Sequence, residues 1–246
     1  PVEHSISPSI NNAAFAKLYL NYLYIPFRVL PKNLKQAAES LSALGISGFN
    51  VTIPHKENIL KYVDKIDESA KLAGAANTVK IVDGKLKAYN TDSKGFIDSL
   101  VLDSKITPTN KKIFLIGAGG GAKAIAASLC LNNVSEISLT DIDRLKALNL
   151  KTHLEKYFNV KTRVVFSIDE IDFYSKNCDI LINATPIGMF PNIKKSPMQI
   201  DKTFNKNIFV YDIVYIPNET TFLKNAAKLQ LKHSNGLQML IRQAGA

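Results

Sequence analysis

The chain is short of several things. Its 246 residues hold two cysteines, four histidines and four arginines. No apolar run approaches the roughly 18 residues of a membrane-spanning helix, which excludes a helical span within this sequence. Pro1–Ser5 has neither the basic nor the apolar region of a signal peptide, so none is expected there. Cys130 and Cys178 fall in a predicted helix and at a predicted strand start. They read as buried thiols of a reducing cytoplasm, not as a disulfide framework. His4, His55, His153 and His233 show no metal-ligand spacing, so no metal is expected. The net charge of +10 raises the question of nucleic acid. The cations are mostly lysine, with arginine only at 28, 144, 163 and 242, and they are scattered among acids. That pattern is a solvated surface able to attract an anionic substrate or cofactor, with no nucleic-acid or membrane partner. A content of 46% hydrophobic and 21% charged residues is ordinary for a soluble globular chain of one large or two modest domains.

What is present is organised around Lys111–Asp141. Ile113 to Ile116 is a continuous apolar run, as in a parallel strand buried on both faces. It enters Gly117-Ala118-Gly119-Gly120-Gly121-Ala122, a G-x-G-x-x-A turn, and Ala124 to Leu131 continues in good helix formers. Glu136 to Thr140 reads as a second strand ending at Asp141, which follows Gly117 by 24 positions. Glycines let a pyrophosphate approach the main chain, and the helix N-terminus offers it free N–H groups. The acid sits close to the spacing at which a carboxylate meets ribose hydroxyls. The order predicts dinucleotide binding.

Before this unit, Ser7-Pro8 reads as a helix start with Ser7 as cap, and Tyr24–Leu30 as a strand with Pro26 at its edge or entry. Lys32–Leu44 is an amphipathic helix closed by Gly45, and Gly48–Ile53 is strand-like. Pro54 is expected to open a short helix carrying Lys56, with another helix over Asp67–Gly74. Thr78–Tyr89 is a hairpin turning at Asp83-Gly84, followed by a helix from about Ser93 to Leu102. After Asp141, helices are expected over Arg144–Phe158, from Ser167 (a capping box with Glu170) to Lys176, and over Glu219–Leu231. The intervening strands are Arg163–Phe166, Asp179–Ala184 and Ile208–Val214, the last strand; Asn235-Gly236 opens a final helix. The alternation predicts an α/β chain: a separate N-terminal α/β domain, then a doubly wound parallel sheet over roughly 105–222.

Polar residues recur at element ends in the first domain: Ser5, Ser7, Asn50, Thr52, Lys56, Asn77, Thr78, Asn90 and Asp92. Each alone suits a cap, a strand or a solvated surface. Together they suit a small polar pocket at a sheet edge, with hydroxyls near a helix start for a carboxylate and a Lys–Asp pair for proton transfer. A carboxylate beside a lysine favours the ammonium form, so the pairing favours a proton-donating Lys56 over a free amine base.

The set resembles shikimate dehydrogenase. The motifs are His4-Ser5-Ile6-Ser7-Pro8, Asn50-Val51-Thr52-Ile53-Pro54-His55-Lys56, Gly74-Ala75-Ala76-Asn77-Thr78 and Asn90-Thr91-Asp92. They continue with Gly117-Ala118-Gly119-Gly120, Asn183-Ala184-Thr185-Pro186-Ile187-Gly188-Met189, Tyr211-Asp212-Ile213-Val214-Tyr215 and Gly236-Leu237-Gln238-Met239-Leu240-Ile241-Arg242-Gln243. All stand in family order from one end of the chain to the other. The resemblance implies reversible nicotinamide-dependent reduction of 3-dehydroshikimate to shikimate in aromatic biosynthesis, by a monomer or homodimer. It implies that Lys56 and Asp92 are catalytic and that Ser5, Ser7, Thr52, Asn77, Tyr215 and Gln243 bind substrate. It assigns Gly117, Ala118, Gly119, Gly120, Gly121 and Ala122 to the pyrophosphate, Asp141 to the ribose, Asn183, Thr185 and Met239 to the nicotinamide side, and Gly236 to the cofactor site. It also implies a substrate domain over 1–102, a Rossmann-type dinucleotide domain over 103–224 and a C-terminal segment, 225–246, returning to the first domain across a cleft that closes on binding.

Two departures stand out. The family carries a strand ending G-x-P before this His-Ser and a helical segment beyond this Gln-Ala, so the chain reads as a piece of a longer polypeptide. Family members using NADP(H) usually have Asn-Arg-Thr after the second strand of the cofactor domain. Here the text is Thr140-Asp141-Ile142-Asp143-Arg144, with Ile142 at the arginine position. A carboxylate there accepts from ribose hydroxyls and repels a 2′-phosphate, which favours NAD(H) against the family's NADP(H), although Arg144 or Lys146 could still reach a phosphate. An NAD-dependent quinate/shikimate dehydrogenase is therefore the alternative, with serine at both 5 and 7 favouring shikimate. A non-catalytic sensor on the same fold is the remote one, and the intact Lys/Asp pair argues against it.

Overall fold

The computed structural model describes residues 5–246; the readings at Pro1 and His4 lie outside the described residues. In chain order the elements are α1 (Ser7–Lys17), α2 (Leu34–Ala43), β1 (Gly48–Asn50), β2 (Lys65–Ile66), α3 (Glu68–Ala73), β3 (Thr78–Val82), β4 (Lys85–Tyr89) and α4 (Asp92–Asp98). They continue with β5 (Lys112–Ile116), α5 (Gly120–Leu131), β6 (Glu136–Thr140), α6 (Arg144–Tyr157), β7 (Lys161–Val164), α7 (Ile168–Lys176), β8 (Ile180–Asn183), β9 (Phe209–Asp212), α8 (Thr221–Lys228), β10 (His233–Asn235) and α9 (Leu237–Ala244).

The N-terminal sheet has the order β1-β3-β4-β2. The β3–β4 hairpin turns at Asp83 and Gly84, whose φ angles of 50° and 72° match the Asp-Gly signal. Leu34, Ala38, Ile59, Val79 and Ala88 fill the core beneath it. The second sheet is entirely parallel, with the order β10-β9-β8-β5-β6-β7. β5 is its centre and is buried on both sides. Ile113 and Leu115 pack into the layer with α4, α5, α6 and α9, whereas Phe114 and Ile116 pack with α8 and the residues flanking α7. This two-sided burial is why the strand reads as an unbroken apolar run. The chain is thus mixed α/β, with an N-terminal domain and a parallel six-stranded sheet.

Four local readings differ. Tyr24–Leu30 forms no strand: Asn12 takes both backbone groups of Tyr24, donating to its oxygen (2.9 Å) and accepting from its nitrogen (2.7 Å), and His55 Nε2 bonds Val29 O. Side chains thereby take the groups a ladder would use. The α1 helix begins at Ser7 itself; its preceding turn is held by Ser5 Oγ, which accepts from Ser7 N at 3.2 Å. Pro54 opens turns, not a helix, and a 3-10 helix follows only at Asn58–Tyr62, so Lys56 rides a turn. Finally, β9 is not the last strand. His233-Ser234-Asn235 adds β10 parallel to it, extending the sheet beyond residue 222. Three polar residues give no apolar pattern, and parallel pairing to a neighbour is what makes them a strand.

Two features fix the joints. Gly95 lies where α9 crosses α4: a Cβ there would sit 2.7 Å from Gln243 Cβ and 2.8 Å from Gln243 N and Met239 O. Gly95→Ala must therefore push α9 off α4. The expected loss is about 2–4 kcal/mol in urea unfolding, and unchanged stability would show that the crossing is slack.

At the end of β9, Asp212 is fully buried. It accepts from Asn183 Nδ2 (2.9 Å), Val214 N (3.0 Å) and Thr220 Oγ1 (2.6 Å), and burial pushes its carboxyl from 3.8 up to about 6. Because the folded-state value is raised, this group's contribution is fullest below pH 3.8 and is lost as pH rises through about 6, amounting to roughly 3 kcal/mol. Relative to Asp212→Asn, the parent protein should lose stability between about pH 4 and pH 7. Parallel stability curves across that range would contradict the assignment.

Candidate active site

Lys56 and Asp92 stand 36 positions apart in sequence and meet at 2.6 Å, Nζ to Oδ2. Their side chains are 16% and 7% exposed. Lys56 arrives on the turn after β1, and Asp92 on the first residue of α4. Asn77, buried just before β3, ties the pair in place. Its Nδ2 donates to Asp92 Oδ1 (3.0 Å), Thr91 Oγ1 (2.9 Å) and Gln243 Oε1 (3.1 Å), and its Oδ1 accepts from Thr91 N and Thr78 Oγ1. Gln243 thus reaches the cluster from α9, which the Gly95 crossing lets close in. Asn50 braces the same edge by donating to Thr78 Oγ1 at 2.9 Å. Asn90 is a scaffold residue: its amide donates to Ala75 O and its oxygen accepts from Ser93 N in the first turn of α4. Among the described residues no hydrogen bond joins Ser5, Ser7, Thr52 or Tyr215 to this cluster. Thr52 is exposed and the other three are half-buried.

The glycine turn lies at the carboxyl end of β5. Gly117 has φ +110° with Ala184 O at 3.0 Å from a built Cβ, and Ala118 is buried. Gly119 has open space where a side chain would be, and α5 starts at Gly120. The Asp141 carboxylate accepts from Ala118 N (2.7 Å) at Oδ2 and from Asp143 N (2.8 Å) at Oδ1, so it holds the glycine turn to the end of β6. Ile142 is completely exposed. Asp143 caps α6 by accepting from Leu145 N and Lys146 N; Lys146 Nζ lies 3.7 Å from it, and Arg144 stacks on the Phe166 ring at 4.7 Å.

Three residues expected at the cofactor are engaged inside the protein. Asn183 is fully buried with both ends of its amide used, donating to Asp212 Oδ1 and Ile187 O and accepting from Thr185 N and Oγ1. It shapes the 184–187 turn together with Thr185, whose hydroxyl accepts from Ile187 N. Met239 is packed in the core between α9 and α4. Gly236 is pressed on the main chain, a built Cβ falling 2.1 Å from Ile213 O. Sequence reasoning assigns no role to Glu57 and Lys123, and Asp212 enters only within the Tyr211–Tyr215 motif, where an acid ending an apolar strand is the signal for its part. Cys130 and Cys178 are free and buried, with thiols pushed up to about 12. Among the described residues no group of three or more His, Cys, Asp or Glu could hold a metal, and no helix is long and apolar enough to cross a membrane.

Comparison with known proteins places this geometry. Residues 1–79 match the shikimate dehydrogenase substrate binding domain. The shikimate dehydrogenase (NADP(+)) of Caldanaerobacter subterraneus is 44% identical over 99% of this chain and 86% of its own length. The enzyme of the same name from Methanocaldococcus jannaschii is 45% identical over 99% and 85%. The crystal structure of shikimate 5-dehydrogenase from Listeria monocytogenes, in complex with shikimate and NAD, superimposes with a TM-score of 0.89 at 33% identity, covering 99% of this chain and 86% of that one. With likeness spanning both sheets and the segment that joins them, the chain belongs to the shikimate dehydrogenase family.

Proposed function

We propose that the chain catalyses the reversible reduction of 3-dehydroshikimate to shikimate in aromatic biosynthesis, as an oxidoreductase using a nicotinamide dinucleotide. The observation that carries this is the 2.6 Å Lys56–Asp92 pair, set by Asn77 beside the N-terminus of α5. The residues fit the dinucleotide: a positive φ at Gly117, open space at Gly119 and the free first-turn N–H groups of α5 form a cradle for phosphates. When bound, the dinucleotide supplies the hydride in reduction and accepts it in oxidation.

The chain's own residues manage the proton. Asp92 Oδ2 accepts from Lys56 Nζ and aims it, while Asn77 fixes Asp92 Oδ1. Lys56 Nζ gives its proton to the carbonyl oxygen of 3-dehydroshikimate as that oxygen gains charge, and takes it back in the reverse direction. Asn77 and Gln243 bound the same space and are read as substrate ligands; Ser5, Ser7, Thr52 and Tyr215 are read as closing around the carboxylate and hydroxyls. We read residues 1–102 as the substrate domain, 103–224 as the dinucleotide domain and 225–246 as returning to the first. The α9–α4 crossing and the Asn77–Gln243 bond support that reading.

For the dinucleotide we favour NAD(H). Two carboxylates, Asp141 and Asp143, flank the exposed Ile142 at the end of β6; Lys146 is turned toward Asp143 and Arg144 onto Phe166. A 2′-phosphate would meet acids before any cation. The curated relatives named as NADP(+) enzymes support the other choice, for which Arg144 or Lys146 would have to leave its present partner.

Two outcomes are expected. With shikimate and equal NAD and NADP, kcat/KM for NAD should be the larger by about tenfold, and Ile142→Arg should narrow or reverse the ratio; a wild-type preference for NADP would contradict the assignment. Asp92→Asn, which keeps the shape, should lower kcat by about 10²-fold or more with a small change in KM, and full activity would remove Asp92 from the mechanism.

A further inference from the structure

The glycine turn contains more glycine than a dinucleotide needs. The G-x-G-x-x-A pattern fixes Gly117, Gly119 and Ala122; Gly120 and Gly121 occupy its open positions. At Gly120 the reason is visible. A built Cβ would fall 2.8 Å from Lys56 Cβ, with Lys56 Cδ and Cγ at 3.4 and 3.5 Å. The aliphatic stem of the lysine lies against the first residue of α5, and any side chain at 120 would displace it.

The neighbour of each member of the pair is bonded to the same helix. Glu57, next to Lys56, meets Lys123 of α5 at 2.5 Å, Oε2 to Nζ. Ser93, next to Asp92, donates from Oγ to Ala124 O at 3.0 Å. Lys123 is 14% exposed and lies in the first turn of α5, where the helix's partial positive charge disfavours a cation. A mostly buried ammonium there needs a carboxylate, and Glu57 supplies it from the other domain.

We propose that Glu57 and Lys123 form a cross-domain latch which, with Gly120 as the seat for the lysine stem, sets the height of Lys56 Nζ over the dinucleotide turn. These are positioning residues acting through Lys56, and the proposal rests on the reading of Lys56 as the proton donor. The two halves of the reaction are thereby registered on one element: α5 offers its N-terminus to the phosphates and its first turn to the proton-donating lysine.

The test is a double-mutant cycle on the full chain with shikimate and dinucleotide. Glu57→Gln and Lys123→Gln should each lower kcat about tenfold while KM for shikimate stays within about threefold, and the double variant should fall no further than the worse single. The charge swap Glu57→Lys with Lys123→Glu should recover kcat to within about threefold of the parent, which a general loosening of the fold would not do. Gly120→Ala, which moves the stem itself, should cost about 100-fold in kcat. Additive losses, an inactive swap or unchanged kcat in both single variants would overturn the latch. Lys56→Ala in the same assay tests the underlying reading separately. The coupling is also read from urea unfolding of the same four proteins, which needs no turnover; zero coupling there and in kcat would overturn the proposal.

Discussion

A buried ion pair is costly unless every remaining valence is filled, and the architecture of this protein follows from filling them around Lys56 and Asp92. The two side chains have left most of their water, so each oxygen of Asp92 needs a donor: Lys56 takes one and Asn77 the other. Asn77 in turn needs its own oxygen satisfied, which the Thr91 amide does, and its bond to Gln243 brings α9 back across α4. The same five groups therefore fix a charge, a helix start and a chain return. A pair held this way is pre-aimed, and pre-aimed charge is what a proton donor at a developing oxyanion requires.

The helix α5 is the second organising element. Its N-terminus belongs to the glycine turn, its buried face belongs to the core of the parallel sheet, and its first turn touches the segments carrying Lys56 and Asp92. His153 Nε2 adds a further tie, bonding Leu72 O from α6. At the end of β9, Asp212 gathers Asn183, Thr220 and the Val214 amide, so the turns after β8 and β9 share one buried carboxylate.

Much of this was legible in the residues. The β5–turn–α5–β6–Asp141 unit stands where its pattern put it, because apolar runs and glycines report burial and turn geometry directly. The Lys56–Asp92 meeting follows from residue type and family order; nothing local in either segment states it. Tyr24–Leu30 shows the limit of pattern: its composition suits a strand, but pairing depends on a neighbour that sequence does not display. β10 is the converse, three polar residues made a strand by β9. Asn183 shows a third limit. Its type suits a ligand contact, whereas its orientation, spent wholly on Asp212, Ile187 and Thr185, is decided by packing. Gly120 reads as part of a phosphate loop, and only the path of Lys56 through space shows what else it makes room for.

The central claim is that Lys56 delivers the proton in the chemical step and contributes little to holding the substrate. Single-turnover oxidation of the bound reduced dinucleotide by 3-dehydroshikimate, followed in stopped flow for the parent and Lys56→Ala, tests it most directly. The account predicts a chemical step slower by about 10³-fold with the dissociation constant for 3-dehydroshikimate changed only severalfold. An equal single-turnover rate, or a loss confined to substrate binding, would contradict it.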